Sequence, residues 1–115
     1  MKNDLLIPLD TVIRAAEMLL SNTTLNFPQE RIVKSIYDVA VNLHDLIISL
    51  PELNSDNAKT VLSYETRSNL ASVIGYAEEL LEGEEGGLDE AQQQHVRQIR
   101  ASGRQVLNRL TMLLE

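Results

Sequence analysis

The stretch that decides the fold is Ser63-Tyr64-Glu65-Thr66-Arg67-Ser68-Asn69-Leu70-Ala71-Ser72-Val73-Ile74-Gly75-Tyr76-Ala77-Glu78-Glu79-Leu80-Leu81. Sixty-one residues earlier, Ile7-Pro8-Leu9-Asp10-Thr11-Val12-Ile13-Arg14-Ala15-Ala16-Glu17-Met18-Leu19-Leu20 aligns with Ser68 to Leu81 without a gap. The correspondence pairs Leu9 with Leu70, Val12 with Val73, Ile13 with Ile74, Ala16 with Ala77 and Leu19-Leu20 with Leu80-Leu81. Self-similarity at a fixed offset is the mark of a supersecondary unit used more than once. Asn3 falls at the position of Tyr64, and Asp4 at that of Glu65.

The segments that follow also align, at an offset of 63. Val33, Ile36, Ala40, Leu43, Ile47 and Leu50 match Val96, Ile99, Gly103, Val106, Leu110 and Leu113. Their spacings of 3, 4, 3, 4, 3 form a heptad seam, the pattern of helices packed side by side at about 20°. Local signals set the expected helix ends. A first helix runs from about Asp4 to Ser21, with Pro8 as an early kink, and the polar run Ser21-Asn22-Thr23-Thr24 ends it. A second runs from about Pro28, which suits a first helical position, to Leu50, and Pro51 stops it. Asn54-Ser55-Asp56 offers caps for a third that reaches Glu82, after which Gly83 and Gly86-Gly87 break the chain. Asp89 with Gln92 reads as a capping-box start for a fourth that runs nearly to Glu115. There is no strand candidate. The expected fold is all-α: one domain over 1–115, a hairpin over 1–53 and its repeat over 56–115, paired as an antiparallel four-helix bundle. The short link between the hairpins makes the second and third helices antiparallel neighbours. Pairing of hairpins between two chains, giving a homodimer, is the alternative.

The stretch from Ser63 to Leu81 resembles the phosphoacceptor helix of sensor histidine kinases. That family's pattern is roughly Ser-His-Glu-Leu-Arg-Thr-Pro-Leu, then an aliphatic pair, Gly-Tyr-Ala-Glu and two leucines. The resemblance implies the kinase dimerisation fold, in which a hairpin from each subunit joins a four-helix bundle; here it implies a pseudo-dimer within one chain. Tyr64 stands where the family has the histidine that takes phosphate from ATP, and Asn69 where it has proline; in the first copy the proline is kept, as Pro8. A neutral imidazole, with a pKa near 6.5, is a good nucleophile at neutral pH, whereas a phenol near 10 is poor and an amide cannot serve. Autokinase activity is therefore not expected of Tyr64 or Asn3, and Gly83-Glu84-Glu85-Gly86-Gly87 sets acids where a triphosphate would meet repulsion.

Kinases of this family often dephosphorylate their partner receiver domain with the acid after the histidine and a Thr or Asn further along. By resemblance Glu65 and Ser68 hold those places, while the first copy has Asp4 and Ile7. Solvated helix residues are the competing reading. His44 and His95 lie on the second helix of each hairpin, away from the phosphoacceptor position, and are not spaced as a metal pair. Arg97, Arg100 and Arg104 form a basic stripe that suits an acidic receiver surface, or pairs with Glu78 and Glu82. The second helix carries more apolar residues than its seam needs: Ile32, Val39, Val41, Leu46 and Ile48. Val41 and Ile48, with the arginines, are thus candidate contacts for a partner or a second copy.

Composition narrows the classes. A chain of 115 residues buries roughly two thirds of its unfolded surface, enough for one core. With 43% hydrophobic and 23% charged residues it is too apolar to be disordered. It has no Cys, which excludes disulfides and thiolate chemistry. A net charge of −7 disfavours nucleic acid and anionic lipid, and no apolar run approaches the 18 or so residues of a membrane span. The start Met1-Lys2-Asn3-Asp4 has no secretory pattern, so a cytoplasmic protein is expected. No metal or cofactor is expected. Three functions fit: a noncatalytic kinase-like adaptor or antagonist that binds a response-regulator receiver or a kinase domain, a receiver phosphatase, and a structural oligomerisation domain.

Overall fold

A computed structural model describes residues 2–50, 56–62 and 64–114, and every element in them is helical. There are four long helices, α1 (Lys2–Asn22), α2 (Phe27–Ser49), α4 (Tyr64–Glu82) and α5 (Glu90–Leu114), and one short one, α3 (Asp56–Val61). Pro51, Asn54 and Ser55, expected to stop one helix and cap the next, lie outside the described residues, as do the side chain of Tyr64 and Glu115.

Helix ends depart from expectation in two instructive places. The helix expected to run unbroken to Glu82 is divided into α3 and α4 at Leu62. No Gly or Pro marks this break, and Ala58 and Leu62 beside it are wholly buried at the end of the core. The second helix starts at Phe27, not Pro28, because Asn26 caps it. The Asn26 side chain accepts from the Gln29 N–H at 2.9 Å while the Gln29 side chain accepts from the Asn26 N–H at 3.0 Å, a reciprocal box that satisfies two of the helix's free donors. Asp89 and Gln92 make the same box on α5, at 2.8 and 2.9 Å. Pro8 lies within α1, where it removes one hydrogen bond close to the helix start, and is buried.

The four long helices surround one core. α1 packs against α2 and α5, and α4 packs against α5 and more sparsely against α2. Polar ties give the directions: Lys2 donates to the Ile48 carbonyl at 3.2 Å, Arg109 meets Asp4 at 3.3 Å, and Asn26 donates to the Glu85 carbonyl at 2.6 Å. Each tie joins the start of one helix to the end of another, so these neighbours run in opposite directions. Burial follows the two offsets. Leu9, Val12, Ala16 and Leu19 are buried, and so are Leu70, Val73, Ala77 and Leu80. The seam of α2 from Val33 to Ile47 is matched by Val96, Ile99, Val106 and Leu110, with Gly103 lying opposite Ile74. Fully burying one such aliphatic side chain contributes about 1.5–3 kcal/mol, so this shared pattern carries most of the stabilisation.

Candidate functional site

α1 and α4 run the same way, which sets the positions of Asn3 and Tyr64 at one end of the molecule. Glu65 and Ser68, three apart, are both exposed on the first turns of α4. Neither side chain has a hydrogen-bond partner among the described residues, while the Ser68 carbonyl accepts from the Ser72 hydroxyl at 3.1 Å. Asn3 and Asp4 are exposed on α1, with Asp4 facing Arg109. This end presents carboxylates, a hydroxyl and an amide to solvent. His44 lies 3.6 Å from Asp45, and His95 lines a shallow depression with Glu90, Gln94 and Gln98; both are half-buried.

The basic stripe divides into three fates. Arg104 is paired with Glu78 of α4 at 3.2 Å, Arg97 donates to Gln93 on its own helix at 3.2 Å, and half-buried Arg100 has no carboxylate partner among the described residues. Exposed pairs of this kind contribute roughly 0–1 kcal/mol, so Arg104 is easily released to another carboxylate. The apolar surplus on α2 is mostly absorbed. Ile32, Val39 and Leu46 pack on the core, Val41 is half-buried, and Ile48 stays 53% exposed.

Two recesses mark the α2–α4 side. One of about 140 Å³ is lined by Val39, Asn42, Leu43, Leu46, Thr66 and Asn69. The other, about 320 Å³, lies between Pro28, Arg31, Ile32 and Ser35 on α2 and Tyr76 and Glu85 across from them. Arg31 also stands over the ring of exposed Phe27, 5.9 Å from its centroid.

At the opposite end from Asn3, a set of polar crossings joins the two halves. Gln29 donates to the carbonyls of Gly86 and Gly87 at 3.1 and 3.3 Å, and Gln92 donates to that of Thr24 at 2.9 Å. Gln29 and Gln92, like Thr24 and Gly87, are 63 positions apart, so one bond is the counterpart of the other. Both glutamines are buried, at 3% and 4% exposure. The motif Asn26-x-x-Gln29 ahead of an apolar run was the available signal for the first of these boxes. Beside it, carboxylate oxygens of Glu79, Glu84 and Glu85 lie within 4.8 Å of one another. Glu85 is raised above the ordinary value of 4.5, first by a hydrogen bond to the Glu79 carboxyl, then by desolvation and the charges of Glu79 and Glu84.

No family model, curated protein or solved structure matches the chain. Among the described residues, no helix is long and apolar enough to cross a membrane.

Proposed function

We propose that the chain is a noncatalytic adaptor or antagonist in two-component signalling: two kinase-like helical hairpins fused into one antiparallel four-helix bundle that binds a response-regulator receiver or a kinase domain. The observation that carries this reading is the paired capping boxes at the offset of 63, whose glutamines cross to equivalent carbonyls. A heptad pattern arises readily in unrelated leucine-rich helices, whereas two buried glutamines doing the same job in each half support a duplicated hairpin more specifically. The packing order α1, α2, α4, α5 supports the same arrangement, since each helix touches its own partner and that of the other copy.

Asn3 and Tyr64 occupy the positions matched to the family's phosphoacceptor histidine, and an amide or a phenol is a poor phosphate acceptor there. Binding is another matter. The faces that carry Arg97, Arg100 and Arg104, and those that carry Val41 and Ile48, remain on the outside or at its margin. A carboxylate-rich partner would displace Glu78 from Arg104 and find Arg97 and Arg100 without a competing acid among the described residues. The test is a binding screen of the full chain against the receiver and kinase domains of its source organism, by calorimetry. Micromolar or tighter binding to at least one, weakened by Arg97→Ala with Arg100→Ala, is the expected result. A complete screen without binding overturns the proposal.

A further inference from the structure

We propose that the seam between α2 and α4 is a proton-sensitive gate, latched at its loop end and able to open while α1 and α5 stay together. The inference does not depend on which partner the chain binds.

In a bundle of two identical hairpins, α2–α4 and α1–α5 would be equivalent contacts. Here they are not: α1 and α5 are closely packed, whereas α2 and α4 meet sparsely and leave both recesses between them. The side chains account for it. Thr66 and Asn69 line the smaller recess, but their counterparts at the offset of 61, Leu5 and Pro8, are buried. On the facing helices, Val39 corresponds to Ser102 and Leu46 to Arg109 at the offset of 63. One seam therefore sets small or polar groups on α4 against bulky ones on α2, while the other lets an apolar α1 approach a helix with a small Ser102. Little apolar area closes the first.

What holds that seam at the loop end is polar. Asn26 and Gln29, at the start of α2, donate to the carbonyls of Glu85, Gly86 and Gly87, the segment that follows α4. The same segment carries the carboxylate cluster. Oε1 of Glu85 is shielded from water without a hydrogen-bond partner among the described residues, and an unpaired buried acceptor is costly. A proton shared with Glu79 supplies the missing donor and removes one negative charge from the cluster. When both carboxylates ionise, they repel each other and Glu84, and the loop carrying the three acceptor carbonyls is driven from α2.

The surrounding charges do not cancel this. On α2, Glu30 is engaged by Lys34 at 2.9 Å, and Arg31 lines the recess with Glu85 but also stands over Phe27. On α4, Glu78 is taken by Arg104, and exposed Glu82 adds negative charge. Ahead of α5, the Asp89 carboxylate accepts from the Gln92 N–H. The sign follows from a carboxyl raised in the latched state. Latching is favoured while the proton is bound and is lost as pH rises through the raised value, starting above 4.5.

Amide hydrogen exchange on the full chain between pH 4.5 and 8, corrected for intrinsic exchange rates, tests the gate. Protection of α2 and α4 amides should fall relative to α1 and α5 as pH rises above 4.5. Glu85→Gln should hold the seam at its low-pH protection throughout; should that variant fail to fold, Glu79→Gln carries the same expectation. A constant ratio between the two helix pairs across the range, or a pH dependence that survives both substitutions, overturns the proposal.

Discussion

Replacing Gln29 by Met tests the duplicated hairpin at its most specific point, because Met keeps the length and most of the volume of the side chain while removing its amide. Three hydrogen bonds disappear: one accepted from the Asn26 N–H at 3.0 Å and two donated to Gly86 and Gly87 at 3.1 and 3.3 Å. A net contribution of about 0.5–1.5 kcal/mol per bond would sum to a few kcal/mol. Gly86 and Gly87 are exposed and their carbonyls can turn to water, so the expected loss is about 1–3 kcal/mol. Gln92→Met removes two bonds, to Asp89 and Thr24, both at 2.9 Å, and should cost about 1–2 kcal/mol. Against a total stability of about 5–15 kcal/mol either loss is large. Urea unfolding followed by circular dichroism reads it as a lower midpoint at unchanged slope, which attributes the change to stability and not to a different unfolded state. The two glutamines use different partners, so the double variant should lose the sum of the two within about 0.5 kcal/mol. If both single variants unfold within about 0.5 kcal/mol of the parent, the crossings behave as incidental surface contacts and the argument built on their symmetry fails.

Two further substitutions probe glycines with opposite expectations. Gly86 has φ of +119°, and a Cβ there would lie 2.8 Å from the Asn26 amide nitrogen, so Gly86→Ala should destabilise by about 1–3 kcal/mol and weaken the latch in the same exchange experiment. Gly75 sits inside α4 with open space where a Cβ would go; Gly75→Ala should stabilise by roughly 0.8–1 kcal/mol in the same urea assay.

The core was legible in the sequence because it depends on spacing alone. Val33, Ile36, Ala40, Leu43 and Ile47 recur at the heptad interval, and all are buried. What depends on three-dimensional neighbours was not. The break between α3 and α4 carries no Gly or Pro, and Ala58 and Leu62 beside it are buried at the end of the core. Pro28 drew attention from Asn26, although a residue with no N–H fits the second helical position as well as the first and the cap needs only Asn26 and Gln29. The carboxylate cluster brings Glu79, inside a helix, against Glu84 and Glu85 beyond it. Only the turn at Gly83, with φ of +80°, folds the chain back so that they meet.

On the proposed duplication, the same contrast explains how two copies of a hairpin can stop being symmetric without losing their fold. The seam residues point into the core, where a change of volume creates a cavity or a clash, so both copies keep similar apolar side chains there. Positions at the margin of the seam, such as Thr66 and Asn69 against Leu5 and Pro8, bear only on how closely neighbouring helices approach. Divergence at the margin leaves the core intact while it opens one side of the molecule and closes the other. A partner that approaches a symmetric bundle has two equivalent faces to choose from; here two recesses lie between α2 and α4, the sparsely packed pair, while α1 and α5 pack closely. A 1:1 complex in the calorimetric screen, with no second site filled at higher partner concentration, is what this asymmetry requires. A stoichiometry of two equal partners per chain would mean that the divergence at the margin is functionally silent.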